Sequence, residues 1–342
     1  MNHGTRWLGP LQVSPLGLGC MGMSTAYGRP DEASSKATLE RALERGVTLF
    51  DTADMYGHGA NEELLGRHLS GVREQIVLAT KTGILSLPGL GLPIGLDASP
   101  ARIARAADAS LRRLRTEVID LYYLHRVDPR VPIEESIGAM AELVRAGKVR
   151  ALGVSEVTAD ELRRAHAVHP IAAAQLEWSL FSRDPEHSVV PTAHELGIGV
   201  VAYSPLGRGM LTGSPAATTR LSLLDYRRLL PRWNRSNLAE NLRQADLVRQ
   251  IADEVGARPA QVALAWLLGH DPDAVPIPGT KHPGYLDENL AALDLTLTAE
   301  QRGRLDRLRA AGDRYRSGPG APSRPQSAQR AGQPQTGTRS RH

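Results

Sequence analysis

Eight short apolar runs, separated by longer stretches of helical periodicity, leave few folds open to this chain. They fall at residues 16–21 (LGLGCM), 47–50 (VTLF), 76–80 (IVLAT), 119–124 (IDLYYL), 149–154 (VRALGV), 172–176 (AAAQL), 198–203 (IGVVAY) and 274–277 (AVPI). Most are continuous rather than alternating, as in strands buried on both faces of a parallel sheet. Between them Ile103, Ala106, Ala107, Ser110, Leu111 and Leu114 recur at helical spacing, as do Ile133, Ile137, Met140, Ala141 and Val144. Asp31, Ser99 before Pro100, and Thr298 with Gln301 read as helix starts. Eight βα units in series predict an α/β fold, a (β/α)8 TIM barrel, with a doubly wound open sheet as its rival. Residues 6–14 (RWLGPLQVS) predict an N-terminal β-hairpin capping the barrel floor. Segments 82–98 and 205–237 are long for plain connections, and long βα loops carry the active site of a barrel enzyme.

A second signal competes with this reading. Gly17, Gly19 and Gly22 have the G-x-G-x-x-G spacing of a Rossmann phosphate turn. That turn must lead straight into a helix, whereas here MSTAYGRP intervenes and helical character starts only at Asp31. The glycines therefore need another explanation, as small residues in the first barrel strand.

Composition narrows the classes. The single cysteine, Cys20, allows no internal disulfide and no cysteine zinc site. No run reaches the ~20 apolar residues of a membrane helix, and MNHGTRWLGP lacks the apolar core of a secretory signal. A cytoplasmic setting is expected, with no membrane partner. Of the net charge of +4, residues 311–342 contribute six arginines and one aspartate, so residues 1–310 carry about −1. The basicity belongs to a Gly-, Pro-, Ser- and Gln-rich end with little to bury. The expected organisation is a barrel over 1–312 and a disordered basic tail over 313–342. No nucleic-acid partner is expected, and oligomeric state is not legible.

Polar residues stand at the strand ends. Asp51 ends the second run with Tyr56 in the following loop, Lys81 ends the third and His125 the fourth. A barrel gathers these at one rim. Tyrosine, with a reference pKa near ~10, can deliver a proton to a carbonyl if a lysine favours its phenolate and an aspartate positions the lysine. A neutral histidine can orient the carbonyl oxygen. None of them can supply a hydride, which implies a nicotinamide cofactor. His166 and His169 read as a solvated helix end rather than zinc ligands, so no metal is expected. GVSEV lacks the second glycine of a hydrolase elbow.

FDTADMYG, LATKTG, IDLYYLHRVD, GKVRALGVSE, AAQLEWSLFSRD, VVAYSPLGRGMLTG and VPIPGTKHPGYLDENLAAL occur in one order along nearly the whole chain. In this the sequence resembles the aldo-keto reductase family, most closely its bacterial aldehyde and ketone reductases, including pyridoxal-reductase-like members. The resemblance implies NADPH-dependent reduction of small aldehydes and ketones, with Asp51, Tyr56, Lys81 and His125 as the catalytic tetrad and Tyr56 as general acid. It implies cofactor contacts at Gly22, Met23 and Asp51, and at Ser155 and Gln175 on the carboxamide. Tyr203 would stack on the nicotinamide. Ser204, Pro205, Leu206, Gly207, Arg208 and Gly209 would form a pyrophosphate strap. Gly279, Thr280, Lys281 and His282 would meet the adenosine 2′-phosphate, with Glu288 and Asn289 near adenine.

Two departures bear on this. Glu156 stands where the family often has Asn, and a carboxylate can accept from the carboxamide but not donate to it. Tyr285 stands where an arginine often helps to hold the 2′-phosphate, which leaves NADH open beside NADPH. Trp178, Phe181 and Tyr226 either line a substrate pocket or pack beneath the long loop. Potassium-channel β-subunits, similar barrels that bind the cofactor, supply the alternative: a regulatory or redox-sensing barrel with little turnover.

Overall fold

The computed structural model describes residues 4–88, 92–222 and 225–315. The expected tail beyond residue 315 lies outside the described residues, as do 89–91 and 223–224 within the two long segments. The first element is the expected hairpin, β1 (Arg6–Leu8) antiparallel to β2 (Leu11–Val13). The barrel strands are β3 (Leu18–Gly19), β4 (Leu49–Asp51), β5 (Val77–Thr82), β8 (Ile119–Leu124), β9 (Val149–Ser155), β10 (Ile171–Glu177), β11 (Gly199–Tyr203) and β12 (Val275–Ile277). They form one parallel sheet in chain order. Each apolar run of the sequence falls on one of them.

Helices α1 (Glu32–Glu44), α2 (Ala60–Leu69), α3 (Pro100–Leu114), α4 (Ile133–Arg145), α5 (Ala159–Val168), α6 (Val189–Glu195), α7 (Arg235–Val255), α8 (Pro259–His270), α9 (Pro283–Leu290) and α10 (Ala299–Leu305) surround it. Asp31 caps α1 by accepting from Ser34 N–H, and Thr298 forms a capping box with Gln301. Ser99 occupies the N-cap of α3, but its side chain does not cap; its own N–H is instead bound by Asp97.

The sheet closes where its first and last strands meet. Gly17 N–H donates to Pro276 O at 2.9 Å, and Gly19 bridges Gly279 in parallel. A Cβ on Gly19 would lie 2.9 Å from the backbone oxygen of Ile277, and one on Gly17 2.9 Å from the Ile277 side chain. The glycines that imitate a phosphate turn are thus required by the close approach at this seam.

Two cores lie on either side of the sheet wall. Phe50, Tyr122, Leu124, Leu152 and Trp266 belong to the outer one, between strands and helices. Leu49, Ala79, Leu121, Tyr123, Ala151, Ala173, Val201 and Val275 fill the barrel interior, joined by Leu8, Leu11 and Val13 of the hairpin. The hairpin sits against the strand starts: a Cβ on Gly199 would come within 2.5 Å of Leu8, and one on Gly9 within 2.8 Å of Ala172. It is the floor.

Segment 82–98 is not a plain loop. It holds a second hairpin, β6 (Ile84–Ser86) antiparallel to β7 (Pro93–Leu96), with Leu92 and Ile94 exposed. Segment 205–237 is built from short 3-10 turns and leads into α7. Arg314 and Tyr315, which the expected boundary after residue 312 assigns to the tail, pack against the barrel mouth. Among the described residues no helix is long and apolar enough to cross a membrane.

Candidate active site

The pleat of the strands decides which polar residues reach the barrel axis, because side chains two apart share a face. Leu49, Ala79, Ala151, Ala173 and Val201 point inward. Two residues further on stand Asp51, Lys81, Gly153, Gln175 and Tyr203, with Ser155 and Glu177 one step beyond on β9 and β10. His125 follows Tyr123 in the same phase, just past the end of β8. The polar residues of the strand ends therefore converge at the C-terminal rim.

Lys81 has no exposed surface, and its ammonium donates to Asp51 Oδ1 at 2.5 Å and to Thr52 O at 2.7 Å. Gln175 Nε2 holds the other Asp51 oxygen at 2.8 Å. The Lys81 nitrogen lies 5.3 Å from the centre of the Tyr56 ring, and the rings of Tyr56 and His125 meet edge to face at 5.9 Å. The four expected catalytic residues thus form one contiguous group.

Its electrostatics differ from the expectation in one respect. Burial, followed by the Asp51 charge, raises the Tyr56 pKa well above its ordinary value. Lys81, paired with Asp51, is not among the charges that lower it. The cation that does lower the Tyr56 pKa is Arg126. Burial also lowers the Lys81 pKa, against the pull of Asp51. Burial, with Arg126 and then Lys81, holds the His125 pKa well below its ordinary value, so the imidazole is neutral at pH 7. Its Nδ1 has no partner among the described residues.

The expected cofactor residues lie along the same rim. Ser155 is 1 % exposed and its hydroxyl accepts from Arg126 at 3.2 Å. Ser204 (φ 50°) and Arg208 (φ 57°) adopt the left-handed conformation that non-glycine residues seldom take, flanking Pro205, Leu206 and Gly207. Such backbone costs about 1–3 kcal/mol per residue and gathers at functional sites. Arg208 Nη2 donates to Glu177 at 2.6 Å, while its Nη1 is buried without a partner among the described residues. Gly209 (φ 94°) completes the turn. Across the seam, Lys281 donates to the carbonyls of Tyr27 and Arg29. Gly279 is exposed, Thr280 accepts from His282 N–H, and Glu288 and Asn289 lie on α9. Met23 is buried, and Gly22 packs near the Tyr27 ring. An orphaned guanidinium nitrogen in a strained turn, and an ammonium bound to carbonyls alone among the described residues, fit the phosphates of a dinucleotide.

Glu156 turns away from the cofactor side, and Trp178 and Phe181 take the second of their two readings, packing rather than lining. Glu156, itself at φ 54°, turns its carboxylate to Arg314 at 3.0 Å and to Glu177 N–H at 2.8 Å, so it faces its own protein. Trp178 does not line a pocket: it is 1 % exposed, its indole donates to Glu186, and its ring abuts His270. Phe181 is likewise buried, under Gly207. Tyr226 does reach the rim, where its hydroxyl meets that of Tyr27 at 3.1 Å.

Glu177, Arg232 and Arg314 are not singled out by the sequence. Burial alone would raise the Glu177 pKa, but Arg208, Arg314 and Arg232 outweigh it and bring it to about 2. This carboxylate ties β10 to the strap and to the C-terminal segment. Its signal in the sequence was parity, two residues beyond Gln175. Arg126, directly after His125, was equally visible.

Asp54 is a further buried carboxylate near the tetrad. Its nearest cation, Arg102, is 3.9 Å away, and burial with Glu62 beside it pushes its pKa up to about 7. The folded state therefore binds this proton more tightly than the unfolded chain. That stabilisation is complete below the unfolded value of 3.8 and is lost as pH rises through about 7. Asp54→Asn should abolish this component: between pH 4 and 7 the urea midpoint of the wild type is expected to decline relative to the variant. Parallel midpoints would reject the assignment.

The comparisons agree with this architecture. Residues 15–310 match the model described as "Aldo/keto reductase family". A soybean (Glycine max) protein named probable aldo-keto reductase 1 is 45% identical over 293 residues, covering 84% of this chain and 83% of that protein. A glycerol dehydrogenase of Gluconobacter oxydans superposes with a TM-score of 0.80 at 31% identity, over 90% of this chain and 95% of that one. An aldo/keto reductase of Klebsiella pneumoniae, solved with NADP and acetate, gives a TM-score of 0.71 at 28% identity, over 92% of this chain and 98% of that one.

Proposed function

Because the chain belongs to the aldo/keto reductase family, a family of oxidoreductases, we propose that it reduces small aldehydes and ketones to alcohols with NADPH. The observation that carries this reading is the contiguous group of Tyr56, Lys81, Asp51 and His125 at the rim. The relative solved with NADP supports the choice of cofactor.

The chemistry that a nicotinamide held along this rim would supply is a hydride for the carbonyl carbon. Tyr56 keeps its proton at neutral pH because burial and Asp51 disfavour the phenolate. It releases that proton to the carbonyl oxygen as negative charge develops there, and regains one from water. Neutral His125 donates a hydrogen bond to the same oxygen without carrying charge. Lys81, fixed by Asp51 and Thr52 O, holds a positive charge beneath the ring. Gln175 prevents Asp51 from rotating away. In the cofactor trough, Arg208 would meet the pyrophosphate through its unpartnered Nη1, and Lys281 the 2′-phosphate.

The direct test is loss of NADPH absorbance on mixing the protein with a panel of aldehydes. Lys281→Ala separates the two cofactors. The variant is expected to bind NADPH about tenfold more weakly, the value of one charge-assisted contact, while NADH binding hardly moves. Equal weakening for both would remove Lys281 from the 2′-phosphate.

A further inference from the structure

Among the described residues, Lys281 across the seam binds carbonyls, and the cations around the tetrad are paired with carboxylates, with one exception. Lys81 is held by Asp51, Arg208 and Arg232 by Glu177, and Arg314 by Glu156. Arg126 has no carboxylate within ion-pair distance among the described residues. Its two hydrogen bonds both leave from Nη1, to its neighbour's carbonyl, His125 O, at 2.6 Å and to Ser155 Oγ at 3.2 Å. A guanidinium carries five N–H donors in a planar fork, so Nε and Nη2 retain theirs. The side chain is half-buried, and neither of these nitrogens is among the buried atoms without a partner. Each therefore keeps some accessible surface. The nearby carboxylate is held off: Glu156 spends Oε1 on Glu177 N–H and Arg314, and Oε2 on Arg314.

An unpaired cation fixed by two acceptors, beside the tyrosine and histidine that receive the carbonyl, is a recognition element for an anion. We propose that Arg126 anchors a carboxylate or phosphate carried by the substrate, so that the preferred substrates are short carbonyl compounds with an acidic group near the reacting carbon. The inference rests on the carbonyl-reductase reading above. Shortness follows from placement, since Arg126 is adjacent to His125 in sequence and its guanidinium is drawn back to the His125 carbonyl. The fork also favours a planar or tetrahedral oxyanion over the neutral carboxamide of a cofactor, which would leave the charge uncompensated. Arg126 opposes the rise of the Tyr56 pKa, as a guanidinium close to the reacting group would.

The test uses the full chain with NADPH and two matched pairs: succinic semialdehyde against butanal, and glyceraldehyde 3-phosphate against glyceraldehyde. The quantity read is the ratio of kcat/KM for the charged over the neutral member. In the wild type this ratio is expected to exceed about ten in at least one pair, the value of one charge-assisted contact, and the pair that shows it identifies the acid group. Arg126→Met should lower it about 10–100-fold, the range of a charge-assisted bond, and Arg126→Lys should give an intermediate value. A wild-type ratio near one in both pairs, or a ratio unchanged in Arg126→Met, overturns the anchor. So does a raised KM for NADPH with the ratio unchanged, which would assign Arg126 to the cofactor. If Arg126→Met does not fold, as judged by its thermal transition, the wild-type ratios and Arg126→Lys decide. Oxidation of NADPH by the neutral aldehydes alone rejects only the anchor. No oxidation with any of the four rejects the carbonyl reading and the anchor with it.

Discussion

Tyr56→Phe is expected to lower kcat/KM for a good aldehyde by about 10²–10⁴-fold, the usual contribution of a positioned general acid. The change removes one hydroxyl and leaves the ring that meets His125 edge to face. No hydrogen bond within the protein depends on that hydroxyl among the described residues, so the fold should lose little. Thermal transition and NADPH affinity are expected to stay near wild type while turnover collapses. That separation matters, because a variant that lost cofactor as well would report damage rather than chemistry. If Tyr56→Phe reduces the aldehyde within a few-fold of the wild-type rate, Tyr56 has no part in the proton-transfer step.

Lys81→Met has two consequences that can be read apart. Asp51 is 4 % exposed, and without Lys81 its charge is left with Gln175 as its side-chain partner. Breaking a buried pair by removing one member costs about 3–5 kcal/mol. The urea midpoint should fall accordingly, and activity with it. The double variant Asp51→Asn/Lys81→Met removes both charges and should regain most of that stability, since a neutral amide can still meet Gln175. It should not regain activity, because the ammonium that sits 5.3 Å from the centre of the Tyr56 ring is still missing. Denaturation curves and rates for the wild type, both single variants and the double variant complete the cycle. A double variant no more stable than Lys81→Met would show that the pair is not what holds Asp51 buried.

Much of this was legible in the sequence. Continuous apolar runs located every barrel strand, because burial on both faces leaves few polar residues before the rim, Asp120 and Arg150 being exceptions. Asp51, Lys81 and His125 stood out for the same reason: they are the first polar residues after those runs. Interactions distant in sequence were not legible. Nothing local marks Glu177 as the partner of Arg208, Arg232 and Arg314, which come from three later segments. Composition alone consigned Arg314 and Tyr315 to a tail, although Tyr315 meets the Tyr203 hydroxyl at 3.2 Å and lies under the Arg208 guanidinium. The β6–β7 hairpin was hidden because its prolines and glycines read as loop. Trp178 shows an ambiguity that sequence could not resolve, an aromatic near the rim whose indole donates to Glu186.

The glycine seam also has a consequence in time. It joins residues 17–19 to residues 276–279, so the wall is completed by the two most distant strands of the barrel. During synthesis the first strand emerges long before its partner, and its outer edge must wait unpaired while nearly the whole barrel is made. Contacts of such long sequence separation form slowly, and a waiting strand edge invites pairing with other chains. Here β3 is only two residues long, so little backbone is exposed to a wrong neighbour before the right one arrives.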